Sequence, residues 1–335
     1  MIRYCTTPAG RIAFSTMGAG PPLLCDAGWV THLRRQLEWP SYREFMQTLA
    51  ARFTVIRYDK PGCGLSDRDQ VDLSFDGQVA AALGVADAVG AGRFSLFGAS
   101  QGGQLAAALA GRHPARVEAL VLYGTCANGA DLAPDGVRDS VVALVRAHWG
   151  LGSKVLTGIF FPDPSDEEAE DFTRMQQDSA SAEVAGQLLA GYYATDIRSL
   201  LPDIRVRTLV VHREGDRVTR FGLGREVAAL IPGATLVPLP GRDHLFYRGD
   251  WAPVAGAVVD FLAPPAATGP RLTAREAEVA QLVAEGLTNQ AIASRLGIAP
   301  RTAEAHVENI RRKLEVRSRA QIAAWATEQR LQAGG

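Results

Sequence analysis

The stretch Gly98-Ala99-Ser100-Gln101-Gly102 stands between an apolar run, Phe94-Ser95-Leu96-Phe97, and an Ala- and Leu-rich segment, Gln104 to Arg112. The run reads as a buried strand and the segment as a helix. G-x-S-x-G at a strand-to-helix junction is a sharp turn whose central residue takes a strained backbone conformation, and only small neighbours leave room for it. The turn lifts the Ser100 hydroxyl above a sheet, at the N-terminus of the helix. A serine hydroxyl is a weak nucleophile until a base takes its proton. The pattern therefore requires a histidine and an acid elsewhere in the chain.

The candidate bases are His32, His113, His148, His212, His244 and His306. His244, in Gly241-Arg242-Asp243-His244, follows a strand-like run and falls on a loop at a strand's C-terminal edge, where open α/β sheets build their sites. His113 precedes a proline and starts a loop. His212 ends a strand and reads as a core histidine. His148 stands open as a pocket residue, and His306 belongs to the C-terminal segment. The acid must orient the imidazole and stabilise its charged form. Asp216, in His212-Arg213-Glu214-Gly215-Asp216, fits this role. Asp243 adjoins His244, and adjacent side chains seldom point at each other. The resulting chain order is Ser100, Asp216, His244.

Outward from the turn, short apolar runs alternate with helical patterns. Pro22-Leu23-Leu24-Cys25, Phe53 to Tyr58, Val117 to Tyr123, Thr208 to Val211 and Thr235 to Pro238 read as strands, and Ser74 to Val89 as a helix. This rhythm means βαβ units and a parallel sheet. It breaks between Ala127 and Leu201, where helix-like stretches, aromatic residues and an acidic loop, Pro162 to Asp171, read as a helical cap inserted into the sheet. Two unrelated domains in series are the alternative, against which the strands resume on the same scheme. Trp251 to Leu262 closes the domain as a helix, and residues 263–270 form a Pro- and Ala-rich linker.

Residues 1–262 thus resemble an α/β-hydrolase, and the turn Asp59-Lys60-Pro61-Gly62-Cys63-Gly64-Leu65-Ser66-Asp67 resembles a loop common in that family. The resemblance implies an oxyanion hole made of two backbone N–H groups, those of Gln101 and of Trp29 in Ala27-Gly28-Trp29. Each such donor is worth about 10²–10³ in rate. The family's usual His-Gly before that position is Ala27-Gly28 here, which bears on the loop's geometry rather than on the backbone donors. The cap aromatics Trp149, Phe160, Phe161, Phe172, Tyr192 and Tyr193 either roof an apolar pocket or form the cap's own core.

Residues 271–335 read as four helices. Thr273 with Glu276 makes a capping box for the first, Asn289 caps the second, Pro300 opens the third and Ser318 starts the fourth. In the third, Ala303, Val307, Ile310 and Leu314 make one apolar stripe. The other face holds Arg301, Ala305, Glu308 and Arg312, flanked by Glu304 and Asn309. Such a face suits a major groove: Arg can fork onto guanine, Glu can accept from cytosine and a methyl can touch thymine. Arg311, Lys313, Arg317 and Arg319 suit phosphates. Alone, the same face also fits a merely solvated helix. The run Leu272 to Val279, Gly286 to Ala293, Thr302 to His306 and Ile310 to Arg319 resembles the LuxR-type helix-turn-helix. That implies a regulator binding double-stranded DNA as a homodimer, with Thr302 also on the DNA-binding helix and pairing near Ile322 to Ala326. Ala299 and Ala303 replace the pattern's usual serine and valine; the first loses a helix cap worth roughly 1 kcal/mol.

Composition agrees with a two-part globular chain. Of 335 residues, 47% are apolar and 21% charged, which excludes fibrous and disordered classes. From Arg271 onward there are 10 basic against 7 acidic residues, while the preceding part is mildly acidic. No apolar run approaches the roughly 20 residues of a membrane span, and MIRYCTTPAG is no signal peptide, so a cytoplasmic protein is expected. The four cysteines lack metal spacing and read as free thiols. No cofactor or metal is expected. The combination predicts an α/β-hydrolase fold with a helical cap, followed by a small all-α domain. Its first functional reading is a regulator responding to a small, mostly apolar ligand such as an ester or lactone. The second is an active serine esterase or lactonase with an accessory DNA-binding domain. A third is a constitutive DNA binder with a relic body.

Overall fold

The apolar runs become strands of one sheet: β1 (Ile2–Thr7), β2 (Gly10–Met17), β3 (Pro22–Ala27), β4 (Thr54–Tyr58), β5 (Phe94–Ala99), β6 (Val117–Tyr123), β7 (Arg207–Arg213) and β8 (Thr235–Leu239). The computed structural model describes residues 1–263, 272–314 and 316–333. The chain divides into two compact units, Met1–Ala263 and Pro264–Gly335. Beyond Ala263, the stretch read as a linker lies outside the described residues.

The strand order is β1-β2-β4-β3-β5-β6-β7-β8. From β4 to β8 all neighbours are parallel. β1 and β2 add an antiparallel edge that the sequence reading lacks. The reason is composition: β1 is polar and largely exposed, and the buried apolar run of β2 is only Ile12-Ala13-Phe14, flanked by polar residues. The order reverses at β3, which lies between β4 and β5, so the C-terminal ends of β3 and β5 diverge into loops on opposite sides of a crevice. Ala27 pairs with Ala99 there, which sets the Gly28-Trp29 loop beside Ser100.

The first unit's helices are α1 (Arg35–Glu38), α2 (Pro40–Ala50), α3 (Phe75–Ala88), α4 (Gln101–Arg112), α5 (Asp135–Ala147), α6 (Trp149–Phe160), α7 (Asp166–Ser179), α8 (Ala182–Ala194), α9 (Phe221–Leu230) and α10 (Ala252–Leu262). Every residue of β5 is buried. Successive side chains point to opposite faces: Phe94 and Leu96 join one core with Val85 and Leu105, whereas Phe97 and Ala99 join the other with Phe45 and Phe246.

The cap, α5 to α8, is inserted between β6 and β7, and its two ends are tied together. Ile197 N–H donates to Ala127 O (2.8 Å) and Gly129 N–H to Thr195 O (2.9 Å). The acidic run expected as a loop is partly the first turn of α7. Ser165 and Glu168 form a capping box there, and Asp166, Glu167 and Glu168 complement the positive end of the helix.

The second unit holds α11 (Ala274–Ala284), α12 (Asn289–Leu296), α13 (Pro300–Leu314) and α14 (Arg319–Ala333). The Thr273–Glu276 capping box is present. Thr288, not Asn289, caps α12; its hydroxyl accepts from Ala291 N–H, one residue earlier than expected. The α13 stripe Ala303, Val307, Ile310 and Leu314 packs on Val279, Val283 and Ile292. Ile322 and Ala326, expected on a pairing surface, are buried in this same core at 0% and 1% exposure, because α14 folds back along α11. Among the described residues no helix is long and apolar enough to cross a membrane.

Candidate functional site

Ser100 follows β5 with φ 54° and ψ −123°, and α4 starts at the next residue. The strained turn survives because its neighbours are glycines. A Cβ on Gly98 would lie 2.6 Å from Gly102 O, and one on Gly102 would lie 2.2 Å from Asp26 O. The turn is held from β6: Ser100 N–H donates to Tyr123 O (2.9 Å), and the Thr125 hydroxyl donates to Ser100 O (2.7 Å).

Three loops at one sheet edge bring the expected residues together. His244 Nε2 lies 3.0 Å from Ser100 Oγ, and His244 Nδ1 lies 2.9 Å from Asp216 Oδ2. With Nδ1–H donating to Asp216, Nε2 is left as the acceptor for the serine hydroxyl. The other Asp216 oxygen accepts from Val218 N–H (2.8 Å) and Thr219 N–H (3.1 Å). Asp216 and His244 are 5% and 4% exposed. His212 is buried in the core, as expected, and burial lowers its pKa, keeping the ring neutral. Its Nε2–H donates to Thr219 O at 2.6 Å, which braces the turn holding Asp216. His148 caps α6 by accepting from Leu151 N–H, and His32 accepts from the N–H groups of Arg34 and Arg35.

Trp29 and Ser100 line one cavity, and the Gln101 N–H heads α4 beside it. Beneath lies a polar cluster that sequence reasoning did not assign. Lys60, 1% exposed, pairs with Asp26 (3.1 Å) and donates to Gln101 Oε1 (3.4 Å), while Tyr58 OH donates to Asp26 Oδ2 (2.5 Å). Gln101 Nε2 donates to Leu188 O of α8 (3.4 Å), which ties the turn to the cap. Asp59, next to Lys60, has its pKa pushed up to about 6 by burial, against the Leu65 N–H bond and Arg57.

The cavity holds only about 40 Å³ of space and is lined by apolar groups together with Ser100, His244 and Gln36. Phe160 of α6 stacks on the His244 ring with centroids 6.0 Å apart, and both Phe160 and Trp149 pack on Trp29. Phe172 and Met175 of α7 form another wall. Phe161 sits in a small core with Phe172 and Met175, and Tyr192 is buried with its ring stacked on Tyr193. Of the cap aromatics, Phe172 both lines the cavity and joins this core, and Phe160 covers the His244 ring. A separate, wider cavity of about 420 Å³ shares the Met175 wall and is bordered by Arg35, Trp39, Asp171 and Arg248.

In the second unit, Arg301, Thr302, Glu304, Ala305, Glu308 and Arg312 of α13 are exposed, and Asn309, Arg311 and Lys313 half-buried. Several are already engaged within the domain. Arg311 binds Glu308 (3.0 Å) and Arg317 O (3.0 Å), and Arg312 binds Asn309 (2.9 Å). Lys313, expected at a phosphate, has its ammonium 2.6 Å from Glu276. Burial alone would raise the Glu276 carboxyl pKa; Lys313 and the Thr273 N–H hold it below the usual range.

The family described as alpha/beta hydrolase fold matches residues 21–249, and that of bacterial regulatory proteins, luxR family, matches residues 270–326. A 2-hydroxy-6-oxononadienedioate/2-hydroxy-6-oxononatrienedioate hydrolase of Pseudomonas putida is 30% identical over 67% of this chain and 82% of its own. The nitrate/nitrite response regulator protein NarL of Escherichia coli (strain K12) is 38% identical over 61 residues, 18% of this chain and 28% of NarL. The crystal structure of a hydrolase from Pseudomonas aeruginosa PA01 superposes with a TM-score of 0.69 at 27% identity, covering 78% of this chain and 98% of that one. The chain belongs to the alpha/beta hydrolase fold family and carries a LuxR-family helix-turn-helix domain behind it.

Proposed function

We propose that the protein is a transcriptional regulator whose DNA affinity answers to a small molecule bound between cap and sheet. The carrying observation is one chain with both a LuxR-family domain and a hydrolase domain whose Ser100, His244 and Asp216 are hydrogen-bonded in series beside an apolar cavity. A ligand shifts such a protein only as far as its affinities for the two DNA-binding states differ. Domain order 1–262, 263–270 and 271–335, a cytoplasmic setting and DNA binding as a homodimer belong to this reading. Within α13, Arg301, Thr302, Glu304 and Ala305, exposed and without side-chain partners among the described residues, are the first candidates for reading bases. Glu308, Asn309, Arg311 and Arg312 follow once their mutual pairs exchange for DNA.

The test is titration of a selected DNA site by wild type, Ser100→Ala and Ser100→Phe, with and without ligand. Ser100→Ala keeps the cavity and is expected to retain the ligand effect; Ser100→Phe fills it and is expected to lose the effect. A ligand that binds Ser100→Ala normally without changing its DNA affinity would make chemistry part of the switch.

The serial hydrogen bonds favour a second reading, a working serine esterase or lactonase. In that chemistry His244 takes the Ser100 proton as Oγ attacks a carbonyl carbon, Asp216 stabilises the imidazolium, and the Trp29 and Gln101 N–H groups receive the oxyanion. The tetrahedral intermediate collapses as His244 returns that proton to the leaving oxygen, which departs as the alcohol and leaves the acyl on Ser100 Oγ. Water, deprotonated by the now neutral His244, then attacks the acyl carbon, and His244 returns the proton to Ser100 as the acid leaves.

A further inference from the structure

Gln36 is 8% exposed and is one of few polar side chains in the wall of the Ser100 cavity. Its Oε1 accepts from Arg57 Nη2 at 3.3 Å. Arg57, 2% exposed on β4, is itself clamped: Nε donates to Tyr42 OH (3.0 Å) and Nη2 also to Leu33 O (3.3 Å). A guanidinium only donates, so the amide oxygen must face Arg57 and the NH₂ must face away. Gln36 Nε2 has no partner among the described residues, and the side chain borders the cavity. The Arg57 charge also polarises the amide and strengthens Nε2–H as a donor.

Trp29 also borders the cavity. The Trp29 indole N–H is buried without an acceptor. Buried polar groups are normally paired, and a cavity bordered by an unpaired amide donor, here Gln36, is complementary to a ligand that brings an acceptor.

We propose that Gln36 is a specificity-determining residue: the ligand carries, besides the group held at Ser100, a second oxygen acceptor, a carbonyl or carboxylate, that receives Gln36 Nε2–H. This rests on the reading of the Ser100 cavity as a ligand site and narrows it from a mostly apolar ester to an oxo- or carboxyl-bearing one.

The experiment is calorimetric titration of full-length Ser100→Ala with methyl pentanoate and with its oxo esters, the ketone placed one, two or three bonds from the ester carbonyl. At least one oxo ester is expected to bind about tenfold or more tighter than the plain ester, since a site built to hydrogen-bond a group rejects the analogue lacking it. Adding Gln36→Leu is expected to bring the two within about twofold, with plain-ester binding retained. Adding Gln36→Glu, whose carboxylate keeps the Arg57 contact and turns an acceptor inward, is expected to reverse the preference. Binding without an oxo preference, or a preference that survives Gln36→Leu, overturns the proposal and leaves the ligand-site reading intact. No binding of any ester by the folded protein overturns both. Hydrolysis by the wild type, assayed separately, bears only on Ser100 chemistry.

Discussion

Replacing Lys313 by Gln separates two roles for one cation. As a phosphate contact, Lys313 would release about one counterion, and the variant's log–log salt slope for DNA binding would be shallower by about 0.9. In the structure its ammonium lies 2.6 Å from Glu276, with side chains 35% and 6% exposed. Breaking a fully buried pair costs about 3–5 kcal/mol and losing a surface pair about 0–1 kcal/mol. With the lysine end a third exposed, the loss falls between them, about 1–2 kcal/mol, or roughly 5–30-fold in the opening equilibrium of the domain. Hydrogen exchange of α11 and α13 peptides in the full-length protein measures it, and a salt series on a duplex measures the slope. The expected outcome is faster exchange with an unchanged slope. The pH dependence follows from the lowered Glu276 pKa. A depressed carboxyl contributes stability that is present above its unfolded value of about 4.3 and is lost as pH falls through the folded value. Wild type and variant should therefore converge as pH drops through that window. Unchanged exchange together with a shallower slope would refute the structural role.

Further outcomes follow from the first domain and from α13. A fluorophosphonate probe is expected to label Ser100, and His244→Ala to reduce labelling strongly; equal labelling would contradict the 3.0 Å contact as an activating one. Gly102→Ala, whose Cβ meets Asp26 O at 2.2 Å, is expected to lose that labelling and to lower the melting temperature, whereas Gly136→Ala, whose Cβ meets nothing, serves as the tolerated control. Phe160→Ala removes the ring stacked on His244 and should admit bulkier ligands to the 40 Å³ cavity, read as tighter binding of longer esters by Ser100→Ala. Glu304→Ala should change the preferred base at one operator position by about 1–3 kcal/mol in a site-selection assay.

Much of this protein was legible residue by residue, because the governing physics is local. The strained turn at Ser100 needs Gly98 and Gly102 within a few residues, the capping box of α11 spans Thr273 to Glu276, and the α13 stripe repeats at helical spacing. The antiparallel strands β1 and β2 were not legible, because partners rather than apolar continuity define them. The cap expected at Asn289 falls on Thr288, whose extended backbone (φ −72°, ψ 164°) places its hydroxyl at the Ala291 N–H.

From the amino-acid sequence alone came the two-part organisation, the elbow, the order Ser100, Asp216, His244 and the apolar side of α13. Tertiary structure alone decided what these residues meet. His244 reaches Ser100 across 144 positions of chain because parallel strands deliver three loops to one edge. Lys313 turns to Glu276, Phe160 roofs His244, and Arg57 dictates which end of Gln36 faces the cavity. Turns, caps and stripes depend on neighbours a turn or two away, whereas a side chain's partner depends on which distant segments the packed core brings within hydrogen-bond reach.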